Sequence, residues 1–369
     1  MITVAIWVGG HDGSITILKN EKLVAFLPEE RFSRIKYDNY LPFISLQKIT
    51  KYVDCIDNLI ISTESNKDKS YILNHLRKIN IKCKSIREIP PSVHHLNHAS
   101  SAFFSSGFKE ALCLTVDSFG GTNPIPNSQN ISVDTTNYYY ISNPHTFKLL
   151  YSNRYYVPEL LDTNPFPSET LESEIDLNYN LDIGMMYGSV CHFLGFDNLE
   201  AGKLMGLSSY GNQNSNLPEI LFKDTLYANM NLFNTGYNLN YPFISILKEA
   251  KNNPNSSIAK DLAYSIQKAL EYIICSRIQQ LLTKHPTNNI VISGGCSLNV
   301  VNNYKLKKQF PKVNFYMDPL GSDLGQSYGM AKHFYYQNTK SSKIEPLQSL
   351  YQGLSYSKKD LLNTIKKYV

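Results

Sequence analysis

The chain has 369 residues, 42% of them apolar, and lysine plus arginine exceed aspartate plus glutamate by 36 − 31 = 5. That length predicts two lobes rather than a single core, and so mild a positive excess permits a phosphorylated or nucleic-acid ligand without requiring one. No stretch approaches the ~18 uninterrupted apolar residues of a membrane helix, which argues against a membrane partner.

The opening residues Met1 to Trp7 lack a basic n-region and a small-residue cleavage site, so they read as a buried strand, and a cytoplasmic location is expected. Further strands are predicted over 14–18 and 22–27, giving a three-strand meander. A helix near 42–53, a strand near 58–62 and a helix near 68–79 follow. His94 and His98 lie four apart in a helix predicted over 94–106, and such a pair projects from one face and can grip a single divalent ion. Asp117 ends the apolar run from Ala111 to Val116, so its carboxylate emerges at a strand tip. Two imidazoles and a carboxylate suit iron, zinc or manganese better than an all-oxygen cation site. Histidines on a helix are also common as packed or surface residues.

From about 123 to 182 the chain turns irregular and rich in Asn, Pro, Ser and Tyr, which suggests an insertion shaping a substrate pocket. Helical patterns resume over 183–195 and 256–284, where Leu262, Ile266, Leu270 and Ile273 share a face. A strand over 290–293, a helix from about 297, a strand over 313–317 and a helix after Gly325 close the pattern. No internal repeat is obvious, although the three-strand opening recurs faintly as strand, helix, strand, helix in the second half. The cysteines Cys55, Cys83, Cys113, Cys191, Cys275 and Cys296 form no CxxC pair and predict reduced core thiols.

Several loops offer chemistry, each with an ordinary alternative. Ser293-Gly294-Gly295 between strand and helix lets backbone approach a ligand, although most such turns only reverse the chain. Asp323, ahead of a helix start, reads by itself as an N-cap. His11 in Gly9-Gly10-His11-Asp12-Gly13-Ser14 is either a proton carrier near neutral pH or a solvated turn residue. The run Glu29 to Lys36 is a solvated face or a set of cations aimed at an anion. Gly202 and Gly206 flank Lys203 in a probable helix, where glycine costs roughly 1 kcal/mol, so close contact with a neighbour or a nucleotide is expected.

Taken in order, His11 to Ser14, Glu29 to Lys36, His94 to Ala102, Leu114 to Asp117, Gly202 to Leu207, Ser293 to Asn299 and Gly321 to Asp323 make the sequence resemble the O-carbamoyltransferases. That family includes enzymes acting on nodulation factors, aminoglycosides and cephalosporin precursors, and is more distantly similar to the tRNA threonylcarbamoyl transferases. The resemblance implies an α/β fold of the actin/Hsp70/sugar-kinase type, two lobes around a nucleotide cleft. On that footing 1–122 is the first lobe, 123–182 an insertion, 183–345 the second lobe, and 346–369 a linker or the start of a further domain.

The resemblance also implies a site. His94, His98, Asp117 and Asp323 would hold a metal, iron foremost, with manganese, magnesium or zinc as alternatives. Gly294, Gly295 and Asn299 would border an ATP-derived carbamoyl-adenylate, with Gly202 and Lys203 beside it, while His11 would act as general base and Lys36 as a cation near the carbamoyl group. Three departures stand out: Ser118 where relatives have Gly, Ser209 where they have Pro, and a chain end at Val369 just after Leu354 to Lys359. On that resemblance the domain making carbamoyl-adenylate from ATP and carbamoyl phosphate is expected in a separate synthetase subunit, in a shared cellular enzyme, or in a part of the protein removed from this sequence. The expected acceptor is a hydroxylated sugar, secondary metabolite or nucleoside. Hydroxymethylated bases in DNA are an alternative, and a kinase, ATPase or non-catalytic nucleotide-binding subunit of the same fold would be a different class.

Overall fold

A computed structural model of the chain describes residues 1–9, 11–38, 40–63, 66–124, 131–142, 146–156, 174–178, 181–197, 199–221, 225–226, 228–229, 232–234, 238–239, 247–353 and 355–368. Its first apolar segments form the expected meander. β1 (Ile2–Val8), β2 (Ser14–Lys19) and β3 (Lys22–Pro28) pair antiparallel, with Ala5 opposite Thr16. After α1 (Glu30–Ser33) and α2 (Phe43–Lys48), β4 (Cys55–Thr63) runs parallel to β1. Next, α3 (Asn66–Lys78) leads to β5 (Lys82–Glu88), giving a sheet of order β3-β2-β1-β4-β5. The strand β5 has no counterpart in the sequence reading, because its Lys, Ser, Arg and Glu side chains belong to a solvated edge rather than an apolar run.

The second sheet repeats that topology. α4 (His94–Ser106), closed by Gly107 at φ +74°, precedes β6 (Glu110–Val116) and the short β7 (Thr122–Pro124). β8 (Ile131–Ser142) and β9 (Thr146–Tyr156) complete an antiparallel meander with β6, and β10 (Glu174–Asn178) adds to its edge. Then come α5 (Ile183–Phe193), α6 (Ala201–Ser208), the small pair β11 (Phe233–Asn234) and β12 (Asn238–Leu239), and the long α7 (Ser257–Lys284). β13 (Asn289–Ser293) lies parallel to β6, and after α8 (Val300–Gln309), β14 (Asn314–Met317) lies parallel to β13. The run β9-β8-β6-β13-β14 thus matches β3-β2-β1-β4-β5 strand for strand. The chain ends with α9 (Gln326–Thr339) and α10 (Lys358–Tyr368).

Two expectations are corrected here. The second lobe begins at β6, before residue 122, and the 123–182 segment contributes β8, β9 and β10 to its sheet instead of forming an irregular insertion. Its strands lack apolar alternation because they bury hydrogen-bonded polar chains. Thr135, Thr136 and Asn153 all donate to Asp182, which pairs with Arg277 at 2.7 Å. Residues 125–130, 143–145, 157–173 and 179–180 of that segment, like Gly10 and Leu354, lie outside the described residues. At the start of the 346–369 segment, Gln352 O accepts from Phe26 N at 2.9 Å, and Leu347 N donates to Ser105 O at 3.1 Å.

Helices α4 and α9 fill the space between the sheets. Ala99, Ala102, Phe103 and Phe104 of α4 share an apolar cluster with Met330, Ala331 and Phe334 of α9. Gly329 allows that approach, since a Cβ there would lie 1.9 Å from Asn97 O. From the first sheet, Ser14 Oγ donates to Leu324 O at 2.8 Å and shares a hydrogen bond with Ser327 Oγ at 2.8 Å. The loop ends of β1, β6 and β13 therefore meet at one seam, beside the N-terminal ends of α4 and α9. No helix of the described residues is long and apolar enough to cross a membrane, and all six cysteines are free.

Candidate metal centre

Four side chains from three separate segments converge at that seam. The first turn of α4 carries His94 and His98 on one face, as their spacing predicts, and their Nε2 atoms lie 3.1 Å apart. Asp117 is the residue after β6, and its Oδ2 lies 3.2 Å from His98 Nε2 and 3.7 Å from His94 Nε2. Asp323 opens a short 3-10 turn before α9, and its Oδ1 lies 3.2 Å from His94 Nε2 and 3.4 Å from His98 Nε2. Asp323 is the first residue of a 3-10 turn whose N-cap position is Ser322, and the N-cap position of α9 is Gly325, so the plain N-cap alternative does not describe it. One donor atom from each of the four lies within 4.8 Å of every other.

Glycines permit this convergence. Gly294 has φ +83°, and a Cβ there would come 2.3 Å from Val116 O, immediately before Asp117. Gly184, in the first turn of α5, would press a Cβ to 2.3 Å from Asp117 O. Ser118 N donates to Asp117 Oδ1 at 2.7 Å, which fixes the carboxylate's rotation.

The electrostatics are those of a buried, balanced set. Burial works to lower His94, but Asp323 and Asp117 outweigh it and raise its pKa to about 10. His98 is likewise raised by Asp117 and Asp323 against its burial. Burial would lift both carboxyls, yet the imidazoles hold Asp117 and Asp323 well below the usual carboxylate range. Two imidazoliums balance two carboxylates. A single divalent cation with two neutral imidazoles gives the same neutrality, which is the form in which such residues ligate a metal. A set of two nitrogens and two oxygens fits Fe²⁺, Mn²⁺ or Zn²⁺.

His11 stands at the edge of this set. Its Nε2 is 3.7 Å from Asp323 Oδ2 and its Nδ1 is 3.2 Å from Asp12 Oδ2, the latter an ion pair whose N–H is not aligned for a hydrogen bond. Burial lowers its pKa, while Asp12, Asp323 and Asp117 together raise it to about 9. The Tyr37 ring meets His11 edge-on at 6.4 Å, and Tyr37 OH donates to Leu199 O at 2.5 Å, linking the first sheet to the loop before α6. Sequence reasoning passed over Asp12 and Tyr37. The signal for Asp12 was its place beside His11.

The remaining predicted residues are placed differently. Lys36 is exposed and packs over Tyr37 at 4.4 Å, and the Tyr37 hydrogen bond raises its pKa. Gly295 lies against the centre, a Cβ there being 3.2 Å from Asp117 Oδ1. Asn299 is 7% exposed and caps α8 by accepting from Asn302 N at 3.0 Å, while exchanging hydrogen bonds with Gln267 at 2.8 and 3.1 Å. Its amide is committed to the protein, which leaves it shaping the loop instead of facing open space. Gly202 and Gly206 meet nothing within 4 Å, so close approach of a protein neighbour is not their reason. Lys203 pairs with Glu200 at 2.6 Å.

Comparison with known proteins adds the family and the fold. The pattern described as carbamoyltransferase N-terminus matches residues 47–332. The nodulation protein NolNO of Sinorhizobium fredii (strain NBRC 101917 / NGR234) is 26% identical over 374 residues, covering 93% of this chain and 49% of that protein. An uncharacterized Synechocystis protein, sll1178, is 24% identical, covering 96% of this chain and 61% of its own length. An uncharacterized protein of Methanocaldococcus jannaschii, MJ1051, is 25% identical, covering 87% and 55%. The chain therefore spans about half to three fifths of these relatives. Among solved structures, HypF of T. kodakarensis superposes with TM-score 0.50 at 14% identity, covering 93% of this chain and 48% of that one. The duplicated sheets are those of the actin/Hsp70/sugar-kinase fold, as the sequence led us to expect.

Proposed function

Because the chain belongs to the carbamoyltransferase N-terminus family, we propose that it moves a carbamoyl group from carbamoyl-adenylate to a hydroxyl of a small hydroxylated acceptor at the seam between its sheets. What supports this reading is the approach of His94, His98, Asp117 and Asp323 to within 4.8 Å of one another, with His11 alongside.

In this proposal those four residues hold a divalent metal, iron foremost. A metal held there would supply positive charge beside Asp117 and Asp323 and Lewis acidity toward the donor. With those carboxylates neutralised, the field of Asp323 and Asp117 that raises the His11 pKa would weaken. Asp12 holds the Nδ1 side, so Nε2 is the nitrogen that takes the acceptor's proton. The acceptor oxygen forms the new bond to the carbamoyl carbon, the bond from that carbon to the phosphate oxygen breaks, and AMP leaves with the electron pair. In this reading Lys36 serves as the cation near the carbamoyl group, and the Gly294-Gly295 backbone borders the donor from the second lobe.

The test supplies carbamoyl-adenylate directly, with sugars, nucleosides and hydroxymethylated DNA as acceptors, and reads products by mass spectrometry. A gain of one carbamoyl group on a small acceptor supports the reading. Gain on DNA alone would reassign the acceptor. ATP turnover or phosphoryl transfer without any carbamoyl product would favour a kinase or ATPase of the same fold.

A further inference from the structure

A second cleft, of about 360 Å³, lies between α4, the β8–β9 pair and α9. It is on the side of α4 turned away from the metal quartet. On the helix, Leu96, which lines the cleft, and Ser100 stand roughly opposite His94 and His98. The volume is within the range of small-molecule sites.

We propose that this cleft binds a neutral, ring-shaped polyhydroxyl ligand of monosaccharide size. Asp134 and Asn137 line it, and each is only 3% exposed. Arg154 Nε donates to Asp134 Oδ1 at 2.9 Å, while Ser152 Oγ donates to Asn137 Oδ1 at 2.8 Å. The two Nη groups of Arg154 make no hydrogen bond among the described residues, and in this proposal they donate to the ligand. Because Asp134 cancels the arginine's charge, a ligand with net charge gains little. A hydroxyl both donates and accepts, and so matches a site that sets free guanidinium N–H groups beside a carboxylate.

His333 supplies a further acceptor. Ser100 Oγ donates to Leu96 O at 2.7 Å, so the 3.1 Å contact from His333 Nδ1 must be a donation to that hydroxyl. Burial lowers the His333 pKa to about 4, the ring is neutral, and Nε2 is left to accept. The other walls are the apolar faces of Leu96, Tyr139, Phe147 and Leu149, which suit the C–H face of a sugar ring. None of these residues belongs to the quartet or to the His11 edge, so this site stands or falls independently of the transfer reaction.

Saturation-transfer NMR on the full chain decides it. The probes are methyl α-D-glucoside, methyl α-D-galactoside and N-acetylglucosamine, each at about 10 mM, enough to occupy a millimolar site. At least one sugar is expected to receive saturation from the wild-type and His98→Ala chains, and none from Leu149→Trp, whose indole fills the cleft. Arg154→Met should weaken binding about tenfold or more, the usual loss for a hydrogen bond to a charged group. Transfer to none of the three sugars overturns the proposal, as does transfer that survives both Leu149→Trp and Arg154→Met. Displacement of the sugar by inorganic phosphate also overturns it, since the cleft would then select an anion. Should Leu149→Trp fail to fold, the result with Arg154→Met decides alone.

Discussion

His11 Nε2 and Asp323 Oδ2 lie 3.7 Å apart, although the two residues are nearly the whole chain distant in sequence. The other oxygen of the same carboxylate faces His94 and His98 at 3.2 and 3.4 Å. One carboxylate therefore faces both the histidine pair and His11. Asp323→Asn is expected to weaken Mn²⁺ or Fe²⁺ binding roughly 10- to 100-fold, the cost of one charge-assisted ligand. His98→Ala should do the same. Isothermal titration with Mn²⁺ on both variants checks this, and affinity equal to wild type would remove Asp323 from the set.

His11→Ala should lower the carbamoyl-transfer rate by about 10²- to 10⁴-fold, the usual contribution of a positioned base, while leaving metal affinity within about threefold. On the proposed reading the rate falls because Nε2 no longer takes the acceptor's proton. Parallel measurement of turnover and Mn²⁺ titration separates this from loss of the metal. A His11→Ala chain with unchanged turnover would assign the base elsewhere.

Glycines that look alike in the sequence should respond oppositely to alanine. Gly184→Ala and Gly294→Ala each drive a Cβ to 2.3 Å from backbone at Val116 or Asp117, and Gly294 also has φ +83°. Both should cost about 1–3 kcal/mol of stability and disturb the metal set. Gly202→Ala meets nothing within 4 Å inside a helix and should gain about 0.5–1 kcal/mol. Thermal melts of the three variants give the signs directly.

The buried pair of Asp182 and Arg277, 2.7 Å apart, ties the second sheet to α7. Burial would raise the Asp182 pKa, but Arg277 and the hydroxyl of Thr136 reverse that and lower it. A carboxyl with a depressed folded pKa gives stability that is present above its unfolded value, near 4, and lost as pH falls through the folded value. Asp182→Asn should destabilise the chain by about 3–5 kcal/mol at neutral pH, because it leaves Arg277 buried and unpaired. The gap to wild type should narrow below about pH 4. Denaturant melts of both chains from neutral to acid pH measure this, and a gap independent of pH would contradict it.

Much of the site was legible because its chemistry is local. The four-residue spacing of His94 and His98 fixes a shared helical face, and an apolar run ending in Asp117 marks a strand tip. Asp323 was not legible by itself, since a carboxylate before a helix has the look of a cap until α4 is seen packed beside it. Strands β8 and β9 were missed for a physical reason. Their polar chains are satisfied by Asp182, Arg277 and one another, partners that the tertiary fold supplies and local periodicity does not reveal. The strand-for-strand duplication of the two sheets was legible only faintly, because topology persists where side-chain pattern does not.

The most direct test of the central claim is anomalous diffraction from crystals of the full chain grown with Fe²⁺ or Mn²⁺, with data collected on both sides of the metal edge. One strong peak is expected, bounded by His94 Nε2, His98 Nε2, Asp117 and Asp323. No peak there at saturating metal, with the imidazoles bonded directly to the two carboxylates, would contradict it.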